Sequence, residues 1–182
     1  MDSLGIVEAK TIAAGVALSD AMMKEADVEL IRASTICSGR YLVFLGGDRE
    51  AVSTSVKYAQ DSGRSLTGSF VLSNVSSQLL AALQRDEPAY EGGALGVIES
   101  RNVSSGIVAA DSAVKHSDIQ LLRLVTGQGI NGKSYFVISG DVASVEDAAE
   151  TARVALGKYL VDSVVIPRPD KAVVRSLVRG MR

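Results

Sequence analysis

The chain repeats itself once, and this repeat limits what it can fold into more than any other feature. Leu4-Gly5-Ile6-Val7-Glu8 is answered by Leu95-Gly96-Val97-Ile98-Glu99, 91 residues later. The same offset pairs Gly15 with Gly106, Asp20 with Asp111, Lys24 with Lys115, Asp27 with Asp118, Leu30 with Leu121, Arg32 with Arg123 and Thr35 with Thr126. The register then slips by two: Gly39 answers Gly132, Gly47-Asp48 answers Gly140-Asp141 and Ala59 answers Ala152, all at 93. A solenoid unit is roughly 20–50 residues long, so a period of this size means that each copy should bury its own core. The 182 residues then divide into two domains, 1–90 and 91–182, with the break over 86–93, where Pro88 and Gly92-Gly93 interrupt any periodic pattern.

Within each copy the hydrophobic period alternates between that of strands and that of helices. Ser3–Glu8 is short and β-branched, a strand. Thr11, or Asn102 in the second copy, can cap the helix that follows, with Ile12, Val16 and Met23 about one or two turns apart. Val28–Ser34 and Arg40–Leu45 are two strands joined by a short loop. Asp48 and Asp141 stand as N-caps of a second helix, with Val52, Val56, Ala59 and Val145, Ala149, Ala152 on its apolar face. Ser69–Leu72 and Ser163–Ile166 are last strands, and a short helix such as Asp170–Val178 closes the unit. The order βαββαβ with a tail helix is the split-βαβ arrangement, an α+β sandwich of ferredoxin-like type with its helices on one sheet face. The other face should be partly apolar and seek a partner.

Composition narrows the chemistry. Lys plus Arg is 19 and Asp plus Glu is 21, a net charge of −2, which is no footprint for nucleic acid or an anionic membrane. A single cysteine, Cys37, removes any intrachain disulfide framework, and a single histidine, His116, removes every two-histidine zinc motif. Aromatic residues are 4% and tryptophan is absent, so stacking platforms are poorly supplied. No stretch approaches the roughly 18 apolar residues of a membrane span. Met1-Asp2-Ser3 opens without a basic-then-apolar signal, which points to a reducing cytosolic setting. No nucleophile has a base at matching spacing, so an enzyme is not expected.

The repeated Leu-Gly-(Ile/Val)-(Val/Ile)-Glu opening, the Gly15/Gly106 and Asp20/Asp111 helix, Lys24/Lys115 followed by Asp27/Asp118, and the Gly47-Asp48/Gly140-Asp141 step together resemble the bacterial microcompartment (BMC) shell domain, over residues 4–83 and 95–178. Both copies begin with the unpermuted strand order, as in the tandem-domain shell proteins. Thr35-Ile36-Cys37-Ser38-Gly39 and Ile166-Pro167-Arg168-Pro169 are similar to the iron–sulfur, propanediol-utilisation branch of that family. The resemblance implies a non-enzymatic shell tile, a homotrimer imitating a six-fold hexamer, placed in the microcompartment shell in the bacterial cytoplasm. It also implies one 4Fe-4S cluster per trimer, held at the central pore by Cys37 of three subunits for electron transfer across the shell. Other BMC shell proteins would be neighbours and encapsulated redox enzymes would be electron partners. Lys24, Lys115 and Arg168 match the family's tile-edge positions, with Asn74 standing where the second copy has Arg168.

Comparing the copies gives a physical sieve. A residue matched in both, such as Glu8/Glu99, Asp20/Asp111 or Asp48/Asp141, is demanded by the common fold before any chemistry. The copies diverge at the loop between their middle strands, the candidate pore loops: Ile36, Cys37, Ser38 and Gly39 against Gly127, Gln128, Gly129 and Asn131. Gly127, Gly129 and Gly132 spell a GxGxxG pattern, but Lys133–Ile138 after it is a strand, not the helix whose N-terminus a dinucleotide needs. The glycines are expected to let the backbone turn and approach a symmetry axis. Cys37 is either a packed small hydrophobe or a functional thiol. Three copies in a cyclic trimer could hold three irons of a cubane cluster, and zinc would also suit three thiolates plus an outside ligand. The alternative is a metal-free pore in which Ser38, Gln128 and Asn131 hydrogen-bond a polar metabolite. Lys24 and Lys115 sit favourably at helix C-termini. His116 and the tail arginines Arg175, Arg179 and Arg182 are expected to be plain surface groups.

Overall fold

Strands and helices alternate twice along the chain in the same order. The computed structural model describes residues 3–178. The first copy contains β1 (Ser3–Ala9), α1 (Ile12–Glu25), β2 (Glu29–Ile36), β3 (Arg40–Gly47), α2 (Arg49–Asp61), β4 (Leu66–Ser73) and a short α3 (Ser77–Leu83). The second contains β5 (Ala94–Ser100), α4 (Val103–His116), β6 (Gln120–Thr126), β7 (Ser134–Gly140), α5 (Val142–Leu156), β8 (Leu160–Ile166) and α6 (Lys171–Val178). Two four-stranded sheets result, with orders β2-β3-β1-β4 and β6-β7-β5-β8. Every pairing is antiparallel, as the split-βαβ alternation requires. Register breaks recur at matched places, between Leu30 and Arg32 and between Leu121 and Arg123, and again after Glu8 and after Glu99. Such bulges bend and twist a strand locally, so both sheets carry the same curvature device.

The repeated residues have local physical reasons. Asp48 and Asp141 are N-caps, their carboxylates accepting the amides of Ala51 at 2.9 Å and Ser144 at 3.0 Å, which satisfies donors that a helix start leaves free. Thr11 caps α1 in the same way. Gly15 is where α1 crosses β3: a Cβ there would lie 2.3 Å from Tyr41 Cβ. Gly106 is its counterpart in α4, where a Cβ would lie 2.0 Å from Ser134 Oγ on β7. The bare backbone at both sites lets the helix approach its sheet.

By packing, the chain forms two compact units that do not coincide with the two repeats. Among the described residues, one contains 3–75 together with Asn102–Ser104 and Gly127–Gly132; the other contains Ser76–Arg101, Ser105–Thr126 and 133–178. In the first, α1 and α2 pack on one sheet face, with Leu18, Met22, Val43, Leu45, Val52 and Val56 in the core. In the second, α5 covers β5, β7 and β8. Here α3 packs beside β6, and the Gln78 side chain donates to the Ile119 carbonyl at 2.9 Å while accepting the Leu121 amide at 2.7 Å.

The expectation of an open sheet face fails in this second unit. There α6 lies on the face opposite α5, packing Val174 and Val178 against Leu95, Leu122 and Val137. Arg123 donates to the Leu177 carbonyl at 2.6 Å, a cation at the C-terminal end of a helix. Arg175 of the tail is exposed on α6, while Arg179 and Arg182 lie outside the described residues. Among the described residues, no helix is long and apolar enough to cross a membrane.

Replacing Gly15 with alanine should test the close approach. Alanine's better helix propensity favours the substitution by up to about 1 kcal/mol, but overpacking against the Tyr41 Cβ costs about 1–3 kcal/mol. A net loss is expected in urea unfolding, and a stabilised Gly15→Ala would contradict the packing described.

Candidate functional site

The two divergent loops meet within one compact unit. In the first, β2 ends at the buried Ile36 and the chain makes a 3-10 turn over Cys37–Gly39 before β3. Ser38 and Gly39 both have positive φ, 69° and 68°, which tightens the turn and leaves Cys37 half-buried. In the second, Gly127–Gly132 runs between β6 and β7. The Cys37 amide donates to the Gly127 carbonyl at 3.3 Å, and the same carbonyl accepts the Gly132 amide at 3.2 Å. The Gly129 amide donates to Cys37 Sγ at 3.1 Å. Ser38 donates to the Asn131 carbonyl at 3.1 Å and to Asn131 Oδ1 at 2.5 Å.

The glycines of this second loop turn the backbone as expected, with φ of 83° at Gly127, 76° at Gly129 and 72° at Gly132, and two of them also meet the first loop. A Cβ at Gly127 would lie 3.0 Å from Ile36 Cβ, and one at Gly132 would lie 1.8 Å from Arg40 Nη2 and 2.8 Å from the Cys37 carbonyl. Both are pressed against the first loop of the same chain. Nothing lies within 4 Å of the Cβ position at Gly129, whose φ is +76°. Gln128 is exposed, whereas Ser38 and Asn131 hydrogen-bond each other.

Behind the loops lies a charged pair, one member of which, Glu8, matching between copies marked as structural. Glu8, on β1, has no exposed side-chain surface; Arg40 Nη1 donates to its Oε1 at 2.5 Å and the Ser104 amide donates to its Oε2 at 2.9 Å. Burial pushes the Glu8 carboxyl above the usual glutamate value, against the pull of the Ser104 amide and the Arg40 guanidinium. Arg40 Nη2 reaches 3.4 Å from the Asn131 carbonyl. The counterpart in the second copy, Glu99–Lys133, is an ion pair at 2.8 Å with both side chains partly exposed. The importance of Arg40 was not visible in sequence: a basic residue after each loop is the only signal, and it does not reveal what the guanidinium touches.

The remaining candidates lie apart from the loops in sequence. Lys24 pairs with Asp20 at 2.7 Å on the exposed end of α1, and Lys115 pairs with the buried Asp111 on α4. Asp111 also accepts the amide of Ser76, the N-cap of α3, at 2.9 Å. Arg168 and Asn74 are exposed. His116 is exposed, in keeping with a surface group; its Nε2 lies 3.4 Å from the equally exposed Asp147, which also accepts the Ser117 hydroxyl. Among the described residues, no cluster of three or more His, Cys, Asp or Glu could hold a metal ion. One chain offers a single thiol, that of Cys37.

Comparison with known families matches the BMC domain twice, over residues 3–75 and 94–169. The bacterial microcompartment shell protein PduT of Citrobacter freundii is 38% identical over 184 residues, covering 98% of this chain and 98% of that protein. Among solved structures, a microcompartment protein from Desulfitobacterium hafniense is similar with a TM-score of 0.83 and 40% identity, covering 96% of this chain and 99% of the other. A fused permuted hexameric shell protein of the RMM microcompartment gives a TM-score of 0.60 at 23% identity, over 85% and 81% of the two chains, a likeness of fold alone.

The two shifted carboxyl groups act in opposite directions on stability. For Glu8 the folded value lies above 4.5, so the folded state holds a proton that the unfolded chain has already released. Its contribution is present below 4.5 and is lost as pH rises through the folded value. Asp141 is lowered from 3.8 by the Ser144 side chain and amide, so its contribution is present above 3.8 and is lost as pH falls through its folded value. Urea unfolding in steps above pH 4.5 should show a falling component of at most about 1.4 kcal/mol per pH unit for one proton. That component should be absent in Glu8→Gln, and an unchanged profile would contradict the assignment.

Proposed function

This chain belongs to the BMC-domain family of bacterial microcompartment shell proteins, and from that premise we propose that three copies close into a pseudo-hexameric tile whose central pore holds one 4Fe-4S cluster on three Cys37 thiolates. It is a structural, non-enzymatic shell component. The proposed cluster equips the tile for electron transfer across the shell, towards encapsulated redox enzymes.

Trimer closure is supported by a difference in exposure between matched positions. Val16 is 52% exposed, whereas its counterpart Ile107 is fully buried; Ile31 is 44% exposed, whereas Leu122 is fully buried. Ile12 and Leu30 extend the exposed apolar set of the first copy, and Val161 and Val164 on edge strand β8 are exposed in the second. Surfaces of this kind, different on the two halves of one chain, suit a head-to-tail interface, which closes into a ring when the rotation permits. Lys24, Lys115 and Arg168 are assigned to the contacts with neighbouring shell proteins at the tile edge.

The observation that carries the cluster reading is the position of the chain's only cysteine, in the loop that differs between the two copies, with a main-chain amide donating to its sulfur. The donor set fits the group: three thiolates from three chains suit three irons of a cubane, and the fourth takes a small exogenous ligand. Hydrogen bonds to sulfur are among the factors that set the potential of such a cluster. When bound, it supplies a one-electron couple. The chain's own part is to present Cys37, hold its sulfur against the Gly129 amide and keep the two loops locked.

Light scattering should give about three times the 19.0 kDa chain mass, and Val16→Asp with Ile31→Asp should shift the protein to monomer. Oxygen-free preparation should yield about four irons per three chains, with visible charge-transfer absorption and an EPR signal on reduction. Cys37→Ala should stay trimeric and lose the iron. A trimer without iron, or one with zinc in its place, defeats the cluster and leaves the tile; a monomeric wild type defeats both.

A further inference from the structure

The charged pair behind the loops and the sulfur in front of them are connected by a short run of contacts. Glu8 is fixed by complete burial and by the Ser104 amide. Its carboxylate holds one end of the Arg40 guanidinium, Nη1 at 2.5 Å. The other end, Nη2, lies 3.4 Å from the Asn131 carbonyl and fills the space that any side chain at Gly132 would need. Asn131 in turn accepts the Ser38 hydroxyl, and the Gly127 carbonyl ties Gly132 to the Cys37 amide. Between these two ties stands Gly129, whose amide meets the sulfur.

We propose that Arg40 is a positioning residue for Cys37: its guanidinium, anchored on Glu8, clamps the Gly127–Gly132 loop so that the Gly129 amide stays on the Cys37 sulfur. A planar guanidinium can bond a carboxylate with one nitrogen and a carbonyl with another. An ammonium is a point charge without that fork. The second copy supplies an internal comparison. Lys133 occupies the place of Arg40 and bonds Glu99 at 2.8 Å, yet the loop bearing the cysteine belongs to the first copy alone. Arg40 does not touch the sulfur; it acts through Asn131 and Gly132.

The inference depends on the cluster reading only for its second readout. The first is the rate at which iodoacetamide alkylates Cys37 in metal-free protein on the high-pH plateau, where the rate no longer rises with pH and every variant reacts as full thiolate, so that only the nucleophilicity and access of the sulfur are compared. Arg40→Lys keeps the ion pair with Glu8 and loses the fork, so alkylation should quicken roughly fivefold, the factor that one released hydrogen bond corresponds to. Glu8→Gln with Arg40→Met removes both charges together, which avoids stranding a buried carboxylate, and should quicken it equally while the protein remains folded by circular dichroism. Glu99→Gln with Lys133→Met should leave the rate unchanged. In iron-loaded protein, Arg40→Lys should shift the midpoint potential to more negative values, because a donor to sulfur is loosened. Wild-type alkylation rates in Arg40→Lys, or equal quickening in the Glu99/Lys133 double variant, would overturn the proposal. Absence of iron from the wild type would count against the cluster, and the alkylation rates would still decide the role of Arg40.

Discussion

A carboxylate without water around it must find all its partners in the protein. Glu8 is in that position, and its partners come from two other stretches of sequence. One oxygen takes Arg40 at the start of β3, the other takes the Ser104 amide at the start of α4. Desolvating the charge is costly, and losing either partner would leave that cost uncompensated. The arrangement therefore has little latitude. Strand β1, the turn after β2 and the segment 102–104 are tied to a common point, and the loop that Arg40 touches is tied through it. The matched pair Glu99–Lys133 is partly solvated, so the same two sequence positions carry a strong constraint in one copy and a weak surface pair in the other.

The duplication was legible because matched residues serve matched needs. The Gly15/Gly106 crossings and the Asp48/Asp141 caps are local requirements, and each repeats wherever the local fold repeats. The chain's compact units were not legible in the same way. Repeats record ancestry of sequence, whereas compactness records which surfaces pack, and α3 packs beside β6 although it follows β4. The cover that α6 gives to one sheet face was also invisible, because the short helix was recognised without any indication of what its apolar residues touch. Both divergent loops were singled out by their difference. Their meeting was not readable, since hydrogen bonds such as Cys37 amide to Gly127 carbonyl join residues 90 apart and depend on main-chain atoms that every residue type shares. The same limit applies to Gly127 and Gly132. Sequence shows that a side chain is missing there, and only the fold shows that Ile36 and Arg40 fill the space.

The tile and its loops make different demands on the chain. A shell component needs repetition, flat packing and edges that find neighbours, and the matched residues supply these. The proposed redox site would need one accessible sulfur and a fixed environment around it, and half-buried Cys37 with its unmatched surroundings would supply them. The edge strand β6 shows how the first demand is handled locally: the Gln78 amide group bonds both a carbonyl and an amide of that edge, occupying main-chain groups that could otherwise pair with a foreign strand.

The facing of Cys37 by the Gly129 amide has an evolutionary consequence. In a chain made of two identical halves, a cysteine in one loop would confront a second cysteine in the other, and the natural outcome of that encounter under oxidation is a cross-link. In this chain the halves differ: one loop carries the sulfur, and the other meets it with the bare peptide nitrogen of Gly129. Duplication thus lets a sulfur and the amide that faces it lie in unlike loops of one gene product, which a ring of identical halves would not allow.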